Sequence, residues 1–235
     1  MHFETPEALG RAFADLAREL GSADGVDETL QLCTERTVAL VEHCEHAGVS
    51  WIRGRAISTR AASSDVPVRV DAIQYETGQG PCLDAIRGHG TYRVGDLLAE
   101  TRWPSFAARA AAETGVRSIL SFRLFLRKDT LGALNLYSSR RDAFDETDEA
   151  VGAIVAAHSA VALQGAAEQE RADQLSQAQA TNRVIGQAVG ILMATRHISA
   201  HDAFGVLRAA SSHMNVKLRD IAAQVVERQQ AGAGR

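Results

Sequence analysis

The sequence contains few cysteines and no long apolar run, and each of these absences narrows the class of protein. Its three cysteines, Cys33, Cys44 and Cys82, form no CxxC pair. An odd, low count argues against a disulfide scaffold and is typical of a reducing cytoplasm. No charged segment followed by an apolar stretch opens the chain, so no signal peptide is predicted. No run of 18 or more apolar residues occurs, and we therefore expect no membrane-spanning helix.

The charge is distributed unevenly over a composition that is otherwise ordinary for a globular protein. The 235 residues allow one large or two modest domains. Residues 183–235 contain seven Arg or Lys and three Asp or Glu, whereas residues 1–182 contain 18 and 26. The C-terminal quarter therefore carries about +4 and the rest about −8. A basic segment suits an anionic partner such as nucleic acid, although the solvated face of a helical bundle has the same charge pattern.

Helical periodicity predicts two helices at the start of the chain. The first covers Pro6–Leu20 and ends at Gly21. The second runs from Val26 to about His46, with Asp24 or Ser22 as its N-cap. Cys33 lies on the apolar face of this second helix, which favours a packing role over a chemical one.

The middle of the chain has the pattern of an antiparallel sheet with short helices. The predicted strands are 48–52, 91–94, 118–126 and 131–137, and the last two form a hairpin across a turn at 127–130. A charged, turn-rich passage covers 58–65. A tight turn at 78–82 leads into a short helix at 83–87, and a longer helix at 103–114 ends at Gly115.

From Glu146 to about Thr195 the pattern is helical again, and residues 164–182 contain few large apolar side chains. We interpret this stretch as a helical connector that needs a partner helix. Three amphipathic segments follow, over 181–196, from Ser199 and from near Asn215, and together they predict a compact three-helix bundle. Phe204 is assigned to the bundle's inner face, which leaves the segment without an exposed aromatic side chain.

Two glycines, Gly186 and Gly190, lie four residues apart inside the first of these segments. Each costs about 1 kcal/mol in a helix interior relative to Ala. The usual compensation is the close approach of another backbone. We expect that backbone to be a neighbouring helix, with a nucleic acid as the alternative.

The C-terminal segments resemble an ANTAR domain over roughly residues 170–228. The resemblance rests on Ile185-Gly-Gln-Ala-Val-Gly-Ile-Leu-Met193 and on three further blocks at the family's spacing: Ile198-Ser199, Ala203-Phe204 with Leu207-Arg208, and Lys217-Leu-Arg-Asp-Ile-Ala222. It implies an RNA-binding output module that binds paired stem-loops in nascent transcripts, prevents formation of a terminator and acts as a dimer.

The candidate RNA contacts are carried by the basic and polar residues of this segment. Val189 stands where the family often has Lys, so one phosphate contact is missing. Arg183, Arg196, Lys217 and Arg219 remain as candidate phosphate or base contacts. Gln187 could read a base edge, and Gly190 could let an RNA loop come close.

The body of the chain, residues 26–165, resembles a GAF domain. The residues that carry the resemblance include Gly78-Gln-Gly-Pro-Cys82, Arg102-Trp103-Pro104 and Leu131-Gly-Ala-Leu-Asn-Leu-Tyr137. The resemblance implies a sheet with helices on one side and a small molecule held between sheet and loops. Tyr75, Cys82, Trp103 and Phe122 are the candidate pocket residues, with core packing as the alternative for each. No cofactor motif is evident, and the ligand is not specified.

The sequence thus predicts an α+β protein with four parts: an N-terminal helix (1–25), a GAF-like sensor (26–165), a helical connector (166–182) and an ANTAR RNA-binding bundle (183–230). We expect a non-enzymatic, signal-responsive antitermination regulator that forms a homodimer in the cytoplasm. One alternative is a free methionine sulfoxide reductase or redox sensor that uses Cys82, whose place at a helix start would lower the pKa of its thiol. Another alternative is a DNA-binding regulator.

Overall fold

The computed structural model describes residues 5–54, 56–88, 90–126 and 129–233 of the chain. They divide into two compact units, Met1–Gln169 and Glu170–Arg235. The longest helix, α6 (Glu146–Arg196), contributes its first part to one unit and its last part to the other.

The first unit is an α+β domain, as the sequence predicts. Two helices open it, and the helices that follow lie between strands. Its helices before α6 are α1 (Pro6–Ser22), α2 (Gly25–Leu40), α3 (Asp65–Thr77), α4 (Pro81–Gly88) and α5 (Pro104–Thr114), and its strands are β1 (His46–Arg53), β2 (Ala56–Ala62), β3 (Tyr92–Val94), β4 (Ser118–Leu126) and β5 (Asp129–Ser138).

The strands form one antiparallel sheet in the order β2-β1-β5-β4-β3. Because successive side chains of a strand point to opposite faces, each central strand contributes to two cores. On one face, Leu134 and Leu136 pack into a core that includes residues of α1, α2 and α6. On the other face, Tyr137 packs with residues of α3 and α5, and Ala133 packs with residues of α4. The second face holds the polar residues discussed below.

The predicted hairpin between β4 and β5 is confirmed by the register that pairs Ser118 with Ser138 and Phe122 with Leu134. Arg127 and Lys128 of its predicted turn lie outside the described residues. The predicted stop at Gly115 is also confirmed, since this residue ends α5 with a φ of 75°, which favours glycine.

Three parts of the first unit differ from the sequence-based prediction. The second helix ends at Leu40 instead of near His46, because His46 already pairs with Tyr137 as the first residue of β1. The passage at 58–65 is largely strand β2, in which the consecutive polar residues Ser58, Thr59 and Arg60 obscure the strand pattern. Helix α3 was not predicted because its buried face includes the polar Asp71 and Gln74.

The second unit is a three-helix bundle made by the last part of α6, α7 (Ala200–Met214) and α8 (Leu218–Ala233). Ser199 caps α7 as predicted, since its hydroxyl accepts a hydrogen bond from the Asp202 backbone N–H at 3.2 Å. The start predicted near Asn215 is wrong by a few residues. Asn215 instead ends α7 in a left-handed conformation with a φ of 52°, and α8 begins at Leu218.

Helix α6 is the one described helix that is long and apolar enough to cross a membrane by length and composition. Length and composition alone are weak evidence for a membrane span, since the core helix of a soluble protein has the same properties. About 39% of the apolar window is buried inside the protein.

Candidate functional site

A buried carboxyl group organises the polar face of the sheet. Asp71 of α3 is fully buried, and one of its oxygens accepts hydrogen bonds from the Tyr137 hydroxyl at 2.6 Å and the Gln74 amide at 3.0 Å. Its other oxygen accepts hydrogen bonds from the hydroxyls of Thr59 at 2.8 Å and Ser50 at 3.1 Å. Burial raises the pKa of Asp71, while these four donors act in the opposite direction. The cluster ties α3 to β1, β2 and β5.

Cys82 belongs to this cluster but is not an activated thiol. Its side chain is fully buried and donates a hydrogen bond to Ser50 Oγ at 3.1 Å. Burial, and then the charge of Asp71, raise the pKa of the Cys82 thiol to about 12. The predicted lowering of this pKa is therefore wrong. The Cys82 backbone N–H, at the start of α4, donates to Gln74 Oε1 at 2.9 Å.

The other two cysteines are also buried, and they lie in the core on the opposite face of the sheet. Burial raises the pKa of Cys33 to about 11 and that of Cys44 to about 12. The Cys33 thiol donates to Ser159 Oγ of α6 at 2.8 Å. Cys33 thus packs as predicted, and the sheet separates both residues from Cys82.

The four predicted pocket residues do not share one site. Tyr75 is half-buried and donates its hydroxyl proton to Ser50 Oγ at 2.9 Å, so it joins Cys82 in the Asp71 cluster. Trp103 is buried, and its indole N–H donates to Asp84 of α4 at 2.8 Å.

Phe122 lies on the opposite face of the sheet, where its ring packs against Gly152 of α6. The structure therefore brings together only Tyr75 and Cys82.

Two buried polar atoms near the cluster have no hydrogen-bond partner among the described residues, namely Asn135 Oδ1 and Ser121 Oγ. These residues are cross-strand partners on the same face, and the Asn135 amide donates to Ser50 Oγ at 3.1 Å. Such unpaired groups are costly in a protein interior unless a water or ligand binds them. Sequence reasoning missed both residues, although polar side chains in otherwise apolar strands are a usable signal.

The second unit presents the predicted nucleic-acid residues on its surface. Its core consists of small and branched apolar side chains from all three helices: Ala188, Leu192, Ala203, Leu207, Ile221 and Ala222. All six residues predicted to contact RNA are exposed, namely Arg183, Gln187, Gly190, Arg196, Lys217 and Arg219. Among the described residues, Arg219 pairs with its neighbour Asp220 at 3.1 Å, and no ion pair involves the other three cations.

The six residues fall into separate groups. Arg183, Gln187 and Gly190 lie within two turns on one exposed face of α6. Arg196 is the last residue of α6, and Lys217 and Arg219 lie at the start of α8.

Phe204 is not a core residue. Its side chain is 42% exposed on α7, whereas its neighbours Ala203 and Leu207 are buried. The bundle therefore does present an aromatic surface, contrary to the prediction. The bundle core is filled by smaller side chains, so the ring is not needed there.

The glycine pair has no packing partner within the described chain. A Cβ atom placed on Gly186 or Gly190 would meet nothing within 4 Å. The expectation that a neighbouring helix of the chain approaches these glycines is therefore wrong. An external partner remains as the reason for two costly residues in one helix.

The family models match both units of the chain. A GAF domain matches residues 4–164, and an ANTAR domain matches residues 173–226. No curated protein matches the sequence.

Solved structures resemble the first unit in fold. The GAF domain of a phosphoenolpyruvate-protein phosphotransferase from Coxiella burnetii is 13% identical, with a TM-score of 0.53 over 69% of this chain and 96% of that one. A free methionine-R-sulfoxide reductase from Neisseria meningitidis is 16% identical, with a TM-score of 0.55 over 72% and 98%. The photosensory core module of a Stigmatella aurantiaca phytochrome is 11% identical, with a TM-score of 0.60 over 90% and 46%. At these identities the similarity establishes the fold alone.

The two matches also fix the general type of function. An ANTAR domain indicates RNA-binding antitermination regulation, and a GAF domain indicates signal sensing. The combination points to a regulator rather than an enzyme. The chain belongs to the GAF domain family and carries a C-terminal ANTAR domain, which is the GAF-ANTAR architecture.

Proposed function

We propose that this protein is a cytoplasmic antitermination regulator that binds tandem stem-loops in nascent transcripts and changes its binding in response to a signal. The observation that carries the proposal is the ANTAR match over residues 173–226. The basic residues that the sequence predicts to contact RNA are exposed on this bundle. Arg183, Arg196 and Lys217 are free to meet phosphates, and neutralising phosphates supplies most of the affinity of a nucleic-acid-binding protein.

Unpaired bases in the loops would supply the specificity, because the deep major groove of an RNA helix is closed to side chains. Exposed Phe204 provides a ring on which such a base can stack, with a typical gain of about 1–3 kcal/mol per base. The sequence alone predicted no exposed aromatic side chain on which an RNA base could stack, and exposed Phe204 supplies one.

The proposal is tested with the full chain and RNA carrying two stem-loops with randomised loops. We expect tighter binding to this RNA than to blunt duplex RNA of equal length at the same salt concentration. Duplex DNA as competitor separates the DNA-binding alternative. Equal affinity for the stem-loop and duplex RNAs would refute the proposed function.

For the signal, we propose a small-molecule site beside Asn135 and Ser121, two fully buried residues of β5 and β4. A small molecule with hydrogen-bond donors would satisfy the two unpaired acceptors there. A thermal-shift screen of small polar metabolites tests this part of the proposal. A compound that stabilises the wild type but not Asn135→Ala supports it, and equal stabilisation of both proteins contradicts it.

We also propose that the protein is a homodimer. Residues 168–180 of α6 are exposed throughout, and a lone solvent-exposed helical stretch is only marginally stable. The exposed apolar side chains of α6 include Val161 at 64% and Leu175 at 61%. Val161 borders an apolar groove of about 410 Å³ formed with α1. A second copy of α6 would cover these side chains.

Sedimentation of the wild type and of Val161→Asp tests the dimer, with Gln177→Asp, on the exposed stretch of α6 but on the face away from Val161, as control. We expect the wild type and the control to sediment as dimers and Val161→Asp as a monomer. A monomeric wild type would contradict this part of the proposal and leave the RNA-binding test unaffected.

A further inference from the structure

The second unit contains an open groove between the last turns of α6 and α8, with a volume of about 440 Å³. Ile191, Ala194 and Val226 give it an apolar floor. Its rim carries the amides of Gln187 from α6 and of Gln229 and Gln230 from α8. The groove therefore combines an apolar surface with neutral side chains that both donate and accept hydrogen bonds.

The three amides are available for a partner. None of them makes a side-chain hydrogen bond within the part of the chain that the structure describes, and all three residues are exposed. Gly190 also lines the groove, and nothing lies within 4 Å of the position of its missing Cβ. An occupant can therefore approach the α6 backbone at this point.

We propose that this groove holds one unpaired RNA base, with its ring against the apolar floor and its polar edge on the glutamine amides. This inference rests on the proposed RNA-binding function and names the part of the surface that would read sequence. A base combines a flat apolar face with a polar edge, which matches the groove's floor and rim. Its edge carries both donors and acceptors, which an amide can pair in a bidentate manner.

The surrounding charge favours a nucleotide over an uncharged partner. Arg183 lies one helical turn before Gln187 on the same face of α6, in position to meet the phosphate beside the bound base. The segment 183–235 has seven Arg or Lys against three Asp or Glu, so its field attracts an anionic chain. The groove lining itself is uncharged, which is the arrangement expected for a base between flanking phosphate contacts.

The groove also extends the recognition surface beyond the residues that sequence reasoning selected. Gln229 and Gln230 lie beyond the ANTAR match, which ends at residue 226. They reach the site because α8 continues to Ala233 and brings its last turns beside α6.

The test uses the full chain and the RNA pool with two randomised loops, first enriched on the wild type. We expect Gln187→Ala and Gln229→Ala each to weaken binding by about tenfold and to relax the preference at one loop position, with an unchanged salt dependence. Arg183→Ala should instead lower the slope of log affinity against log salt by about 0.7–0.9. Gln224→Ala, an exposed glutamine of α8 outside the groove, is the matched control and should bind as the wild type does.

Gly190→Ala separates binding from folding. The new methyl group enters the open groove without meeting the rest of the chain, so the variant should unfold at a higher temperature and yet bind RNA more weakly. Gly165→Ala, at an equally bare position of α6, should stabilise the protein and leave binding unchanged.

Each outcome decides the proposal. A wild type that prefers no stem-loop RNA overturns both the proposed function and this inference. If the wild type binds stem-loop RNA and the variants bind it equally well, only the proposal of a base in the groove is overturned. The variants are Gln187→Ala, Gln229→Ala and Gly190→Ala. Variants that convert a dimer to a monomer in sedimentation show that the groove is an interface between two copies, which also overturns it.

Discussion

The three cysteines should resist modification in the native protein, and this prediction separates a regulator from a thiol enzyme. With a pKa of about 12, Cys82 is ionised to about one part in 10⁴ at pH 8, compared with about a quarter for an unperturbed thiol. A thiolate of higher pKa is intrinsically more nucleophilic, which recovers a factor of roughly 40. Ionisation alone therefore slows the reaction by about 10².

Burial adds a second barrier. Cys33 and Cys82 have no exposed surface, and Cys44 is 6% exposed. A reagent can reach these thiols only after local or global unfolding. An unfolding free energy of about 4 kcal/mol leaves roughly one molecule in 10³ in the reactive, open state. We expect each cysteine to react at least about 10³-fold more slowly than a free thiol.

The assay is alkylation with iodoacetamide at pH 8, followed by mass spectrometry of the individual peptides. Ser176→Cys on the exposed stretch of α6 provides an accessible thiol in the same protein. Unfolding in urea should bring all three native cysteines to the rate of this control. If Cys82 reacts within tenfold of the introduced control thiol in the native state, the inference that it is an inert core thiol is refuted and the redox alternative returns.

Three further predictions concern stability. Gly152→Ala should destabilise the protein by about 1–3 kcal/mol in urea titrations, because its Cβ would lie 2.5 Å from the buried ring of Phe122. The control Gly165→Ala should stabilise the protein by up to about 1 kcal/mol. A change of the same sign in both variants would contradict the packing of Gly152 against Phe122. Tyr137→Phe should cost about 1–3 kcal/mol in thermal unfolding, since it removes a 2.6 Å hydrogen bond to buried Asp71, and an unchanged melting temperature would count against this bond. Burial raises the pKa of Asp71, so its protonation contributes to the free energy of unfolding. This contribution is full below the unfolded pKa of about 3.9 and is lost as pH rises through the folded pKa. Asp71→Asn should abolish this decline when the free energy of unfolding is measured against pH.

Much of the architecture could be predicted because it depends on local signals. The Ser199 cap, the Gly115 stop and the β4–β5 hairpin each follow from a few neighbouring residues, and all three are confirmed. The ANTAR and GAF resemblances also rest on short blocks of neighbouring residues, and both family matches bear them out.

Predictions failed where polar side chains occupy interior positions. Helix α3 was missed because Asp71 and Gln74 replace apolar residues on its buried face. Asp71 is tolerated only because hydroxyls distant in sequence, those of Ser50, Thr59 and Tyr137, donate to its carboxyl group. A local pattern contains no information about such partners.

By itself, the sequence determined the GAF-ANTAR architecture and the basic character of the C-terminal segment, because these depend on composition and on residues close together in the chain. Only the tertiary structure decided which side chains meet. It buried Cys82 beside Asp71, placed Phe122 on the opposite face of the sheet, exposed Phe204 and brought Gln229 beside Gln187. Exposure, pKa and the shape of a groove arise from contacts between distant segments, and packing alone sets them.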